Sequence, residues 1–466
     1  MTIKELFAPS DMTVGKPWEK IVAFTIPMLI GNIAQQLYNT VDSIVIGKYV
    51  GDNALAAVGS ASPILNLLLV LFVGISVGAG VMVSQYFGAR QRKELSMTIG
   101  NCVTLTAISS IIIMILGAVL SRPLLEMLKT PDSIIDWCTS YLVILMVGCA
   151  GSAYYNILCG ILRGLGDSIS ALIYLLVATV INIVLDAVFV LGFHWGMYGA
   201  AAATVIGQVI SAIIAVCYLS HYRTVTLHSE HFRPNASHLA QICSLGMASA
   251  INQVAMMIVQ ITMNNLLKHY GAQSVYGESI PIACSGIVMK VNQLYFSVII
   301  GLSQGSQPIQ SFNYGAKQYN RVKESYRLAI TVGAIVSIVS FLLFQIFPRQ
   351  ILGLFGSGSK EYFDFGVNYF RIFLLFTWLN FMQPISSTFF SSIGKAYKGT
   401  FLSLTRQILF LLPLLLLFPR FWGIKGILYA SPVADVLSFA VGLAMVIHEF
   451  QLIRKLEVSE QNTTTF

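Results

Sequence analysis

Long apolar stretches separated by short polar turns recur along the chain. They show neither the strict alternation of a strand nor the two-faced stripe of a water-soluble helix. Twelve such stretches fall near residues 20–44, 53–82, 96–120, 134–158, 168–192, 198–220, 237–263, 278–304, 326–347, 362–386, 401–419 and 425–448. Each can cross about 30 Å of hydrocarbon as an α-helix rising about 1.5 Å per residue. No polar face recurs that could coat so many helices in water. The pattern predicts an all-α polytopic membrane protein with twelve transmembrane helices and argues against a soluble helical bundle.

Composition agrees, with 56% apolar and 10% charged residues against about 25% charged in an ordinary soluble domain. The formal net charge is +8, and its distribution carries more than its size. With both termini on one side, that side receives eighteen of the twenty-eight Lys and Arg residues, Arg163 and Arg406 among them, and the other receives eight. Lys290 and Arg371 fall inside predicted spans. The bias predicts cytoplasmic termini. Basic residues spread over several short loops give no nucleic-acid footprint. The seven cysteines form no CxxC pair, so neither a metal knuckle nor a disulfide scaffold is expected. The first twenty residues lack the apolar core of a cleavable signal peptide, and the first span is expected to direct insertion.

The sequence also repeats. VGISVGAGVMVSQYFGARQ at 73–91 aligns with IGLSQGSQPIQSFNYGAKQ at 300–318, pairing Gly74 with Gly301, Ser76 with Ser303, Gly78 with Gly305, Ser84 with Ser311, Gly88 with Gly315 and Arg90 with Lys317. LRGLGDS at 162–168 stands where FSSIGKA stands at 390–396, pairing Gly166 with Gly394. HYRTVTLHSEHFRPNASHLA, residues 221–240, reads as a polar connection. The expected organisation is two pseudo-symmetric six-helix lobes, 1–225 carrying a cation site and 226–466, with a central cavity. Such repeats are common in alternating-access transporters. Pro27, Pro63, Pro281, Pro308, Pro384 and Pro413 mark kinks or helix ends.

PMLIGNIAQQLYNTVDSIVIGKYVG near the start, the VSQYFGARQ turn, the LRGLGDS loop and the doubled six-helix pattern together resemble the multidrug and toxic compound extrusion family, over residues 17 to 450. The resemblance implies an inner-membrane exporter of bacterial or archaeal type. Influx of H+ or Na+ would drive efflux of amphipathic, commonly cationic compounds. It further implies a branch with coupling acids in the N-terminal lobe. The first-helix acid of that branch maps onto Asp42, and its fifth-helix Asn and Asp map onto Asn182 and Asp186. The seventh-helix acid of another branch has no counterpart in GMASAINQVAMMIVQ, residues 246–260.

Asn182 and Asp186 are four residues apart and share one helical face. With Asp42, they make an oxygen-rich set suited to Na+ or to one proton, and residue chemistry leaves the ion open. An ionisable group inside a membrane is costly unless paired, hydrated or neutralised, which is what makes the trio informative. Gln36 and Asn39 in the first span, Tyr155 and Asn156 in the fourth, Asn252, Gln253 and Gln260 in the seventh, and Asn292 and Tyr295 in the eighth are candidate cavity residues. Such a lining would combine apolar area with adjustable hydrogen bonds. Helix-to-helix hydrogen bonding is the competing role for each.

No Walker sequence, dinucleotide fingerprint, HExxH motif or hydrolytic triad is present. The expectation is a transporter acting as a monomer, without cofactor and not an enzyme. The alternative of similar architecture is a flippase for a lipid-linked precursor or polysaccharide, which would favour a basic cavity. A third class, an accessory membrane scaffold, predicts no turnover.

Overall fold

The computed structural model describes residues 12–50, 52–127, 130, 132–220, 227–355 and 359–464, with side chains described for all of these except 36–45, 47, 48, 52, 53, 55, 56, 59, 220 and 459–464. The described residues contain helices and turns and no strand. The helices are α1 (Pro17–Tyr49), α2 (Asp52–Gly88), α3 (Arg92–Met127), α4 (Asp132–Val147), α5 (Cys149–Gly164), α6 (Ser168–Asp186), α7 (Gly196–Ser220), α8 (Ala236–Ala272), α9 (Ser279–Gly315), α10 (Tyr319–Ile346), α11 (Pro348–Phe355), α12 (Lys360–Phe373), α13 (Met382–Ser392), α14 (Ala396–Leu404), α15 (Leu412–Trp422) and α16 (Ile424–Thr464). Together they make the twelve spans of an all-α polytopic membrane protein.

Several spans expected as single rods are interrupted, each for a local reason. The fourth bends by 49° between α4 and α5. Gly148 sits at the bend, where a Cβ would overlap the Val205 side chain. The tenth breaks between α12 and α13, bridged by the 3-10 turn Thr377–Leu379. Pro384 lies four residues after Asn380, so it supplies no hydrogen to that carbonyl and its ring crowds it. The fifth and eleventh spans widen into π-helical stretches, Ala187–Gly192 directly after α6 and Thr405–Leu411 between α14 and α15. In the second case Pro413 follows in the first turn of α15 and removes another ladder donor.

The chain forms two compact units. One holds Ile26–Ala250 with Ser311–Ala316, and the other holds Lys16–Thr25, Ile251–Gln310 and Lys317–Phe466. The first turns of α1 and the first half of α8 thus belong with the unit built mainly from the other half of the sequence.

The internal repeat reappears as matched contacts. Ser76 donates to the Asn156 carbonyl at 2.6 Å in the first unit, and its counterpart Ser303 donates to the Pro384 carbonyl at 3.2 Å in the second. Arg90 and Lys317, paired in the alignment, both take left-handed φ, at 57° and 59°. Gly166 and Gly394 do the same, at 89° and 79°, as the tight turn at each site requires. Within the first unit, α2 crosses the C-terminal turn of α9. A Cβ on Gly88 would overlap the Phe312 carbonyl, and one on Gly315 would overlap the Gln85 carbonyl. Association of helices in lipid rests on such close backbone approach.

These contacts reverse the usual sign of a glycine substitution. Gly to Ala in a helix ordinarily stabilises by about 1 kcal/mol. Gly88→Ala and Gly315→Ala should instead lower the thermal unfolding midpoint in detergent, with an overpacking cost of about 1–3 kcal/mol. Gly286→Ala, with nothing within 4 Å of an added Cβ, should hold or raise it.

Candidate functional site

The LRGLGDS loop sets the register of α6. Asp167 caps the helix, its Oδ1 accepting from the Ser170 N–H at 3.0 Å and its Oδ2 from the Ser170 hydroxyl at 2.7 Å and the Tyr218 hydroxyl at 2.9 Å. One buried carboxylate thereby ties the start of α6 to α7. The loop is structural, as its turn chemistry suggests.

From that anchor, α6 carries Asn182 and Asp186 along one face to the point where the π-helical stretch begins. Both are buried, at 3% and 1% exposure. With the amide oriented to suit its neighbours, Asn182 Nδ2 donates to Asp186 Oδ2 at 2.8 Å and its Oδ1 accepts from the Thr204 N–H at 3.0 Å. The Thr204 hydroxyl lies 3.3 Å from the same oxygen and also donates to the Ala200 carbonyl at 3.1 Å. Close approach of α7 makes this possible, since Gly207 lets its backbone pass beside α6. Thr204 had no signal in the sequence. Its role depends on a contact between helices, whereas the Asn182–Asp186 spacing is readable along one.

Asp42, Gln36 and Asn39 lie outside the residues whose side chains are described. The other expected cavity residues separate into different surroundings. In the first unit Tyr155 and Asn156 are half-buried, and Asn156 donates to the Ser152 carbonyl at 2.8 Å. In the second, Gln253 is exposed, Asn252 reaches Met256 Sδ at 3.8 Å, and Gln260 donates to Asn264 at 3.2 Å. Asn292 is buried, and its Oδ1 has no hydrogen-bond partner among the described residues. The Tyr295 hydroxyl joins Ser337 at 2.7 Å and donates to the Thr377 carbonyl at 3.3 Å, a link between helices. Lys290 is exposed, eleven residues after Ser279 at the start of α9.

Two charged clusters of the second unit escaped the sequence reading. Arg406, assigned there to the cytoplasmic rim, is buried in the π-helical stretch of the eleventh span. Its Nε donates to Asp435 Oδ1 at 2.7 Å. At the start of α14, Lys395 and, at 2.6 Å, Lys398 pair with the fully buried carboxylate of Glu449 on α16. No group of three or more His, Cys, Asp or Glu residues suited to a metal ion occurs among the described residues.

The α6 geometry predicts an unequal response to substitution. Asp186→Asn keeps size and hydrogen-bonding capacity and should leave the unfolding temperature within a few degrees of wild type. Asp186→Leu leaves the buried Asn182 amide without its acceptor and should cost about 1–3 kcal/mol, read in the same thermal assay.

Comparison with known proteins supplies the family. The MatE family model matches twice, over residues 27–188 and 248–417, once in each half of the repeat. Among curated relatives, a probable multidrug resistance protein of Bacillus subtilis, YoeA, is 27% identical over 346 residues, covering 72% of this chain and 73% of its own. The multidrug export protein MepA of Staphylococcus saprophyticus is 21% identical, covering 91% and 92%. A crystal structure of a MATE protein in a bent conformation superposes with TM-score 0.89 at 22% identity over 98% of this chain and 100% of its own. A MOP superfamily transporter from Pyrococcus furiosus gives TM-score 0.87 at 22% identity, covering 97% and 99%. The chain belongs to the MatE family, the multidrug and toxic compound extrusion family that its motifs resemble.

Proposed function

We propose that this protein is a multidrug antiporter that couples inward movement of H+ or Na+ to export of amphipathic, commonly cationic organic compounds by alternating access. The observation that carries this reading is the carboxylate of Asp186, buried inside a span, held by the Asn182 amide and placed where the helix widens into a π turn. A carboxylate at that depth is expensive unless it has a function, and π turns inside α-helices frequently mark functional sites. Family membership, the multidrug export named for MepA and the probable multidrug resistance named for YoeA support it.

In this reading Asp186 and Asp42 bind the coupling ion, and Asn182 orients it. The Asn182 amide serves either state of the acid, donating to a carboxylate through Nδ2 or accepting from a carboxylic O–H through Oδ1. Occupancy by H+ or Na+ removes negative charge from the first unit and weakens its hold on an organic cation. Transport then needs one ion-binding event per release, with no covalent step and no cofactor. The protein acts as a monomer in the plasma membrane with both termini cytoplasmic.

A second reading, flipping of a lipid-linked or polysaccharide precursor, is favoured by one observation. The exposed Lys290 in the middle of a span must face water or a counter-charge rather than lipid, and a phosphorylated head group would supply that charge.

Efflux of a fluorescent organic cation from proteoliposomes, with ΔpH and Na+ gradients imposed separately, tests the choice. The antiporter reading expects one gradient to drive efflux, and expects Asp42→Asn and Asp186→Asn each to lower the rate at least about tenfold, roughly 1.4 kcal/mol of coupling. Undiminished efflux in Asp186→Asn contradicts it. No dye movement in folded wild type, together with movement of a phosphorylated lipid that Lys290→Gln abolishes, establishes the second reading.

A further inference from the structure

Arg406 and Asp435 form an ion pair deep inside the second unit. Arg406 stands ten residues into the eleventh span from Ala396, and Asp435 stands eleven residues into α16 from Ile424. At about 1.5 Å per residue, each is about 15 Å from the start of its helix, near the bilayer midplane. Asp435 is 1% exposed and Arg406 is 6% exposed. Arg406 Nε donates to Asp435 Oδ1 at 2.7 Å, Arg406 Nη2 reaches the Ser431 hydroxyl at 3.5 Å, and Asn380 Nδ2 donates to Asp435 Oδ2 at 3.2 Å. Asn380 belongs to the break between α12 and α13, and Arg406 to the π-helical stretch. The pair therefore binds together the irregular segments of two spans.

The repeat shows that this crossing does not require charge. Ala178 and Gly207 stand to Gly166 as Arg406 and Asp435 stand to Gly394. In the first unit those two residues meet directly, a Cβ on Gly207 falling 3.2 Å from the Ala178 carbonyl oxygen. One half of the molecule thus packs the same pair of helices with two of the smallest residues. A buried ion pair is often no more stabilising than the apolar contact that could replace it, so packing alone does not account for Arg406 and Asp435.

We propose that Asp435 is a proton-binding site of the second unit, with Arg406 as its fixed counter-charge and Asn380 as the group that transmits its state to the break in the tenth span. The chemistry of the cluster suits both states. Ionised, the carboxylate accepts from Arg406 and from the Asn380 amide. On taking a proton it becomes a carboxylic acid whose Oδ1 still accepts from Arg406 and whose Oδ2–H becomes a donor. Asn380 Nδ2 then faces a donor, and the amide must rotate to offer Oδ1. That oxygen is buried and has no hydrogen-bond partner in the ionised arrangement, so the rotation satisfies it. The site goes from neutral to singly positive, and the ion pair that ties the π-helical stretch to α16 weakens to a hydrogen bond. The other groups bearing on Asp435 are Tyr295 from α9, within electrostatic reach of both charges, and Ser431 on α16 itself. The inference stands apart from the reading of Asp186, since no residue is shared between the two sites.

Infrared difference spectroscopy on the purified full-length protein tests it, following the carboxylic C=O band that appears as pH is lowered. Asp435→Asn should remove one acid-induced band that Asp186→Asn retains. The lone guanidinium in Asp435→Asn risks misfolding, so the paired variant Arg406→Ala with Asp435→Gly, which copies the first unit's crossing, carries the same test. It should fold and lack the band. An unchanged set of bands in either folded variant, or the absence in wild type of any band assignable to Asp435, overturns the proposal. Dye efflux is not needed for the result, so failure of this site and failure of the antiporter reading are separately visible.

Discussion

Where Gly88 meets the Phe312 carbonyl and Gly315 meets the Gln85 carbonyl, there is room for a hydrogen atom and nothing larger. In hydrocarbon no gain comes from hiding apolar surface, so helices hold together through contact area and through polar groups that find partners inside the protein. Close backbone approach supplies the first condition. It also brings serine hydroxyls within reach of a neighbouring helix's carbonyls, as Ser76 and Ser303 show at matched positions. The rest of the fold follows from the same constraint. Where an acid, amide or guanidinium inside the spans meets a side chain of another segment, as Asp435 meets Arg406 and Asn380, the meeting fixes one span against another.

The irregular parts of the spans are where these meetings concentrate. Asp186 lies at the start of one π-helical stretch and Arg406 lies within the other, while Asn380 lies in the break between α12 and α13. A widened or broken turn loosens the backbone ladder. Side chains there can be held by partners on other helices and can also release them at modest cost. In both units an asparagine amide is placed against a buried carboxylate. An amide offers a donor and an acceptor, so it suits an acid in either protonation state. The units differ in the added guanidinium, which gives the second carboxylate a permanent counter-charge.

Much of the architecture was legible along the chain, because hydropathy and repeat spacing are one-dimensional signals. The alignment of 73–91 with 300–318 paired Arg90 with Lys317, and folding gives the two the same left-handed φ. Asn182 and Asp186 were visible as a pair because they are one helical turn apart. Interruptions were only half visible: Pro384 marks a place where a helix is weakened, but whether it kinks or breaks depends on what surrounds it. The pair Arg406–Asp435 was hidden. Its members lie on different helices, and an arginine near the predicted edge of a span reads as a rim charge until folding supplies a partner. Thr204 was hidden for the same reason.

The central claim is that Asp186 is kept in the membrane to exchange an ion for substrate. The most direct measurement is the ion released when an organic cation is added to purified wild-type protein in weakly buffered detergent, followed with a proton indicator and a Na+ electrode, and repeated with Asp186→Asn. Release of H+ or Na+ by wild type, reduced by about one ion per protein in the variant that still binds the cation, is the result expected of a carboxylate that titrates once. Equal release from both proteins would mean that Asp186 is structural and that coupling resides elsewhere.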